Sequence, residues 1–101
     1  MNAQPLTTGA VRVRRSLAET IRRDTGLPRS MHGYRGWLGV DCPTVRAAVW
    51  MMRLMIASNV LSRREESTLF VPVNDARDPG GARVAGALVL VHGLARARGI
   101  L

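Results

Sequence analysis

Between Val45 and Leu61 the chain carries only two charged residues, Arg46 and Arg53, and is otherwise almost wholly apolar. Val45, Val49, Met52, Ile56 and Val60 recur at helical spacing, Trp50, Leu54 and Leu61 form a second stripe, and Met51 and Met55 widen the apolar surface. A helix that is apolar almost all round has to be covered on more than one side. Two arrangements achieve that. Other helices and a sheet sandwich it within one chain, or a second copy or a companion chain shields it. One core seldom encloses such a helix in a chain of 101 residues. Self-association through Trp50, Met51, Leu54 and Met55 is therefore the preferred expectation. Asp41 is placed to cap this helix, with Pro43 tolerated in the first turn, where its missing amide would be unpaired anyway.

The flanking segments supply the rest of a small fold. Val11-Arg12-Val13-Arg14 alternates apolar with basic, which predicts a short half-buried strand over 10–14. Ser16 and Glu19 have the spacing of a capping box, Leu17 and Ile21 fall one turn apart, and Gly26 supplies a left-handed stop; a helix is predicted over 17–25. Gly33, Gly36 and Gly39 recur every third residue, which is costly in a helix and points to a strand over 36–40. Arg63-Arg64-Glu65-Glu66 reads as a self-neutralising loop. Thr68 to Val73 is a continuous β-favouring run whose Pro72 marks an edge or an end. Asn74 to Gly81 is turn chemistry, and Asp78-Pro79 has the pattern of an N-cap followed by proline at the first helical position. Val84, Ala87, Leu88, Val91 and Ala95 then give a helical stripe stopped by Gly99, although Leu88 to Val91 also suits a strand. The expected order is β-α-β-α-β-α: one helix-rich α/β domain over 1–101, with helices packed on a short sheet.

Charge narrows the function classes. All fifteen basic residues are arginine, against seven acidic ones, for a net charge of +8. A GC-rich coding bias accounts for arginine in place of lysine but not for so few carboxylates. Such a field attracts phosphate backbones or acidic proteins. The dense clusters are Arg12, Arg14, Arg15, Arg22 and Arg23, and then Arg63, Arg64, Arg77 and Arg83 around the Thr68 strand; an ordinary solvated face is the alternative for each. With only four aromatic residues, base stacking has little to work with, and phosphate contact without sequence readout is the expected mode. Met1 to Gly9 lacks the order of a secretory signal, and Val84 to Ala95 is about a dozen residues, short of the ~20 a bilayer requires. No membrane partner and a cytoplasmic location follow as expectations.

Chemistry is sparse. Cys42, the only cysteine, falls just after the expected helix cap, where free amides and the macrodipole favour an exposed, low-pKa thiolate suited to mixed-disulfide or sulfur chemistry; the alternative is a semi-buried structural cysteine at a helix start. Leu38-Gly39-Val40-Asp41-Cys42-Pro43, leading into a helix, resembles the Leu-Gly-x-x-Cys-Pro signature of the TusA-like sulfur-carrier family. That resemblance implies a β-α-β-α-β-β fold and a persulfide carried on Cys42; Val45 stands where the family usually has a second proline. His32 and His92, with Cys42 and Asp41, supply metal-ligand types without diagnostic spacing, so no metal site is assigned. There is no nucleophile elbow, phosphate loop or dinucleotide fingerprint, hence no implied cofactor. The favoured reading is an accessory domain that binds an anionic partner, nucleic acid ahead of an acidic protein. The alternatives are a sulfur carrier and a subunit of an oligomeric enzyme whose shared site lies near His32, Asp41 and Asn74.

Overall fold

The computed structural model describes residues 8–101, so most of the Met1–Gly9 segment behind the leader reading lies outside the described residues. The elements are α1 (Thr8–Thr25), β1 (Trp37–Asp41), α2 (Val45–Ala57), β2 (Arg63–Glu65), β3 (Thr68–Pro72), a single 3-10 turn (Pro79–Gly81) and α3 (Ala82–Ala97). The expected class, a helix-rich α/β fold with helices on a short sheet, is what forms. The sheet is antiparallel, in the order β1-β3-β2.

Two element assignments need correction. The expected strand over 10–14 is the first part of α1. Four alternating residues satisfy a period of two, but Val13 also precedes Leu17 and Ile21 at helical spacing, and the longer period wins because it buries Leu17, Ala18, Ile21 and Thr25 together. Ser16 is consequently mid-helix and exposed, not a cap. At the other end the Thr25 hydroxyl donates to the Ile21 carbonyl at 2.6 Å and accepts from the Leu27 amide at 3.1 Å, while Gly26, at φ +81°, makes the anticipated stop. Secondly, Arg63–Glu65 is not a loop but the edge strand β2, paired with β3 so that Arg63 faces Phe70 and Glu65 faces Thr68. Glu66, at φ +54°, takes the left-handed position in the hairpin turn.

Helix α2 begins at a different cap and is rotated from the expected orientation. Asp41 belongs to β1, and Thr44 caps the helix by accepting from the Ala47 amide at 3.0 Å. Beyond its last residue, Ala57, the helix is stopped by Asn59, at φ +69°, where the Val60 amide reaches back to the Met55 carbonyl at 2.9 Å. Its buried line is Ala47, Ala48, Met51 and Met55, each with 0% exposure. Met51 and Met55 are therefore core residues and not part of an interface; Trp50 and Leu54 are half-buried against the same core. The small Ala47 and Ala48 let α2 approach closely, and contacts with α3, β3 and β2 cover it within the chain. Val45, Ile56 and Leu61 remain outward, as do Leu90 and Leu94 on α3.

Helix α3 starts beyond the proline turn. The Asp78 carboxylate accepts from the Arg83 amide at 2.8 Å and the Val84 amide at 3.1 Å, satisfying two free donors of α3 across that turn. Leu88, Val91 and Ala95 close the core from this side, and Gly99, at φ +69°, terminates the helix.

Leu38, Val40, Leu69 and Val71 alternate onto the helix-covered face of the sheet, which puts Trp37, Gly39, Phe70 and Arg63 on the other. The chain from Pro28 to Ser30 pairs with the free edge of β1, through Ser30 N to Gly39 O at 2.8 Å and Asp41 N to Pro28 O at 2.9 Å. The following loop then crosses the outer face. It lies so close that a Cβ on Gly39 would stand 2.7 Å from the His32 carbonyl oxygen and 2.9 Å from the Phe70 ring.

Urea unfolding checks both packing statements. Met51→Ala is expected to lower stability by about 2–5 kcal/mol, whereas Leu61→Ala stays within about 0.5 kcal/mol. Gly39→Ala, which has to displace backbone and not merely a flexible side chain, is expected to cost about 1–3 kcal/mol.

Candidate functional site

Arginine defines the outer surface of α1. Arg12, Arg15, Arg22 and Arg23 are exposed and recur on the side opposite Leu17 and Ile21, with Glu19 among them. Arg23 pairs with the adjacent Asp24 at 2.9 Å, and this is the single ion pair among the described residues. An exposed pair of this kind contributes little and leaves the face strongly positive. Arg14, grouped with these residues when 10–14 is taken as a strand, separates from them in a helix. It occupies the opposite side, one turn before Leu17 and Ala18.

The second cluster divides as well. Arg63 and Arg64 line a groove of about 680 Å³ that runs along the β2 edge of the sheet, together with Arg35, Tyr34, Trp37 and Phe70 from the outer face and Met52 from α2. Arg83 instead donates to the Asn59 carbonyl at 3.3 Å, and Arg77 sits in the turn that the Asn74 side chain organises by accepting from the Ala76 and Arg77 amides. Three of the four aromatic residues thus meet in one place, which no local spacing revealed. Tyr34 packs on Phe70 with ring centroids 5.2 Å apart, and the Arg63 guanidinium lies 5.4 Å from the centre of the Trp37 ring. The Tyr34 hydroxyl donates to both Glu65 carboxylate oxygens, at 2.7 and 3.0 Å, and this bond to a carboxylate raises the phenol above its ordinary pKa. The groove has aromatic walls, guanidinium groups at its rim and its one carboxylate already engaged. Flat or anionic groups match that lining.

Cys42, Asp41 and His92 line a separate cavity, of about 560 Å³, with Arg96 and Leu101. The expected thiolate chemistry does not follow. Cys42 lies two residues before the Thr44 cap and is buried at 5% exposure. Burial, and then the neighbouring Asp41 charge, push its thiol up to about 11. Of the two readings open for Cys42, the exposed low-pKa thiol is therefore set aside, and the cysteine is buried and protonated. Burial and the nearby Arg96 hold His92 below its ordinary range, hence neutral at pH 7. Among the described residues no hydrogen bond joins the Cys42 thiol to His92, and no cluster of three or more His, Cys, Asp or Glu side chains could hold a metal ion. His32 is on the outer loop, against different cavities.

No family model, curated protein or solved structure matches the chain. The sulfur-carrier resemblance keeps the support of Leu38–Pro43 alone. Among the described residues no helix is long and apolar enough to cross a membrane.

Alkylation by iodoacetamide reads the state of Cys42 directly. At pH 8 the folded protein is expected to react roughly a hundredfold more slowly than the urea-unfolded chain, because a thiol at about 11 holds that much less thiolate than an ordinary one. The folded-state rate should climb with pH towards 11.

Proposed function

We propose that the protein is a small arginine-rich accessory component that engages an anionic partner, with nucleic acid as that partner and no complete catalytic centre of its own. The observation that carries this reading is the outer face of α1, where Arg12, Arg15, Arg22 and Arg23 stand exposed with one carboxylate, Glu19, among them. Guanidinium groups are weakly hydrated and hold phosphate oxygens in a bidentate fork, so such a face binds a phosphate backbone without reading bases. The groove at Trp37 and Arg63 adds aromatic surface beside further arginines, which favours a nucleic acid over an acidic protein. A single unpaired cysteine suits a reducing, cytoplasmic setting. Association with a second copy or a companion chain belongs to the same reading, through outward residues such as Ile56 and Leu61 and not through Met51 and Met55.

Fluorescence anisotropy with duplex and single-stranded oligonucleotides across a salt series tests this. Four phosphate contacts correspond to a slope of about −3 to −4 in log affinity against log salt. The quadruple Arg12→Gln, Arg15→Gln, Arg22→Gln, Arg23→Gln variant should flatten that slope while leaving thermal unfolding nearly unchanged. Binding by the unmodified protein that ignores ionic strength would remove the proposal.

A further inference from the structure

The inward side of α1 holds a cation that its surroundings do not neutralise. Arg14 shares that side with Leu17, Ala18 and Ile21, and it lines a cavity of about 230 Å³ with Arg29, Ser30, His32, Gly33 and Trp37. Its Nε is buried and has no hydrogen-bond partner among the described residues. Its Nη2 donates one long bond, 3.4 Å, to the Tyr34 carbonyl. Gly33 keeps the far side open: even a Cβ there would stand 4.0 Å from Nη1. Ser30 is buried and its Oγ accepts from the His32 amide at 3.0 Å, which leaves its hydroxyl proton free to donate. No carboxylate is among the residues that line this cavity.

A partly buried guanidinium with an unused donor is unfavourable by itself, and a second arginine beside it makes the site worse. Desolvation, and then the Arg29 charge, depress Arg14 below its ordinary range, in keeping with that geometry. One kind of ligand resolves all three features. It carries negative charge, accepts several hydrogen bonds at once from different directions, and is smaller than the ligands that fill cavities of about 300 Å³ and upward. We propose that the cavity between Arg14 and Arg29 is a binding site for a single phosphate group, held by the Arg14 Nε–H and Nη–H donors, by the Arg29 guanidinium and by the Ser30 hydroxyl. The site does not rest on the nucleic-acid reading, because Arg14 and Arg29 are not among the arginines that carry it: Arg12, Arg15, Arg22 and Arg23 lie on the opposite side of α1, and Arg63 is on β2.

The test titrates the full chain with inorganic phosphate against chloride at constant ionic strength. It follows the arginine Nε–Hε resonances by nuclear magnetic resonance and the melting temperature in parallel. The Arg14 resonance is expected to move saturably, with a rise in melting temperature. Arg29→Gln should weaken the affinity about tenfold or more, the loss of one charge-assisted contact, while Arg12→Gln should leave it unchanged. Arg14→Gln should abolish the thermal response and still fold, since it removes a buried unpaired cation. No saturable movement of Arg14, or one that Arg29→Gln leaves intact, would overturn the site. Adding a single-stranded oligonucleotide to the phosphate-loaded protein identifies the source. A new Arg14 position with phosphate released assigns the group to a nucleic-acid backbone, and an unmoved signal assigns it to free phosphate or a small phosphate ester; both uphold the site.

Discussion

Gly39 is the point on which the outer layer of the molecule depends. Its flanking residues, Leu38 and Val40, are buried on the helix side, while Gly39 itself faces the opposite way and offers no side chain. That gap admits the backbone at His32 and the edge of the Phe70 ring to distances that a Cβ would forbid. With the loop seated there, Tyr34 is carried over Phe70 and its hydroxyl reaches Glu65, on the far edge strand. Trp37, at the start of β1, then borders both the arginine-lined groove and the Arg14 cavity. A three-stranded sheet covered by helices on one face would otherwise expose Phe70 and Trp37 on the other. The loop closes that face and, in closing it, shapes the two cavities beside it.

The elements with long or uninterrupted patterns were legible in the sequence. The apolar run of α2, the β-favouring run of β3 and the apolar stripe of α3 lie where the residues indicate, give or take their ends, but Asp78-Pro79 opens the 3-10 turn Pro79–Gly81 and α3 itself begins at Ala82. What failed was shorter. Four alternating residues at Val11 to Arg14 carry too little periodicity to choose between strand and helix, and the choice went to whichever period joined them to Leu17 and Ile21. Arg63-Arg64-Glu65 has no apolar member at all. It becomes a strand because β3 presents an edge to pair with and Glu66 accepts the turn, neither of which is visible in three charged residues. For α2 the helix was legible but its orientation was not. Hydropathy gave nearly every side equal weight, and the decision came from size, with Ala47 and Ala48 marking where the backbone could come nearest.

The site was less legible than the fold because its residues meet through tertiary contact. The α1 arginines were identifiable as a cluster, but only the helical period sorts Arg14 from Arg12 and Arg15. Tyr34, Trp37 and Phe70 are brought together by a loop and two strands, and their scarcity in the composition said nothing about their concentration in space. Cys42 shows the opposite error. A cysteine near the start of a helix suggests free amides, yet the cap is Thr44 and the Cys42 amide is already committed to the Ser67 carbonyl at 2.9 Å. Desolvation then outweighs any benefit from the α2 dipole, which falls off within the first turn.

One helix therefore carries the same side chain in two energetic settings. On its outer face the guanidinium groups remain hydrated, repel one another weakly through water and salt, and act at a distance as a diffuse attraction for anions. On its inner face Arg14 has lost part of that hydration without gaining a carboxylate, so what it needs is contact and not merely a field. A net charge of +8 alone would serve the first role and is compatible with a stable fold, because each outer arginine can turn away from its neighbours. The second role is more demanding, since Arg14 is fixed between α1 and the loop that Gly39 admits. The features that make it unfavourable when empty, burial, a second cation and no acid, are those that would favour one compact anion over a hydrated chloride.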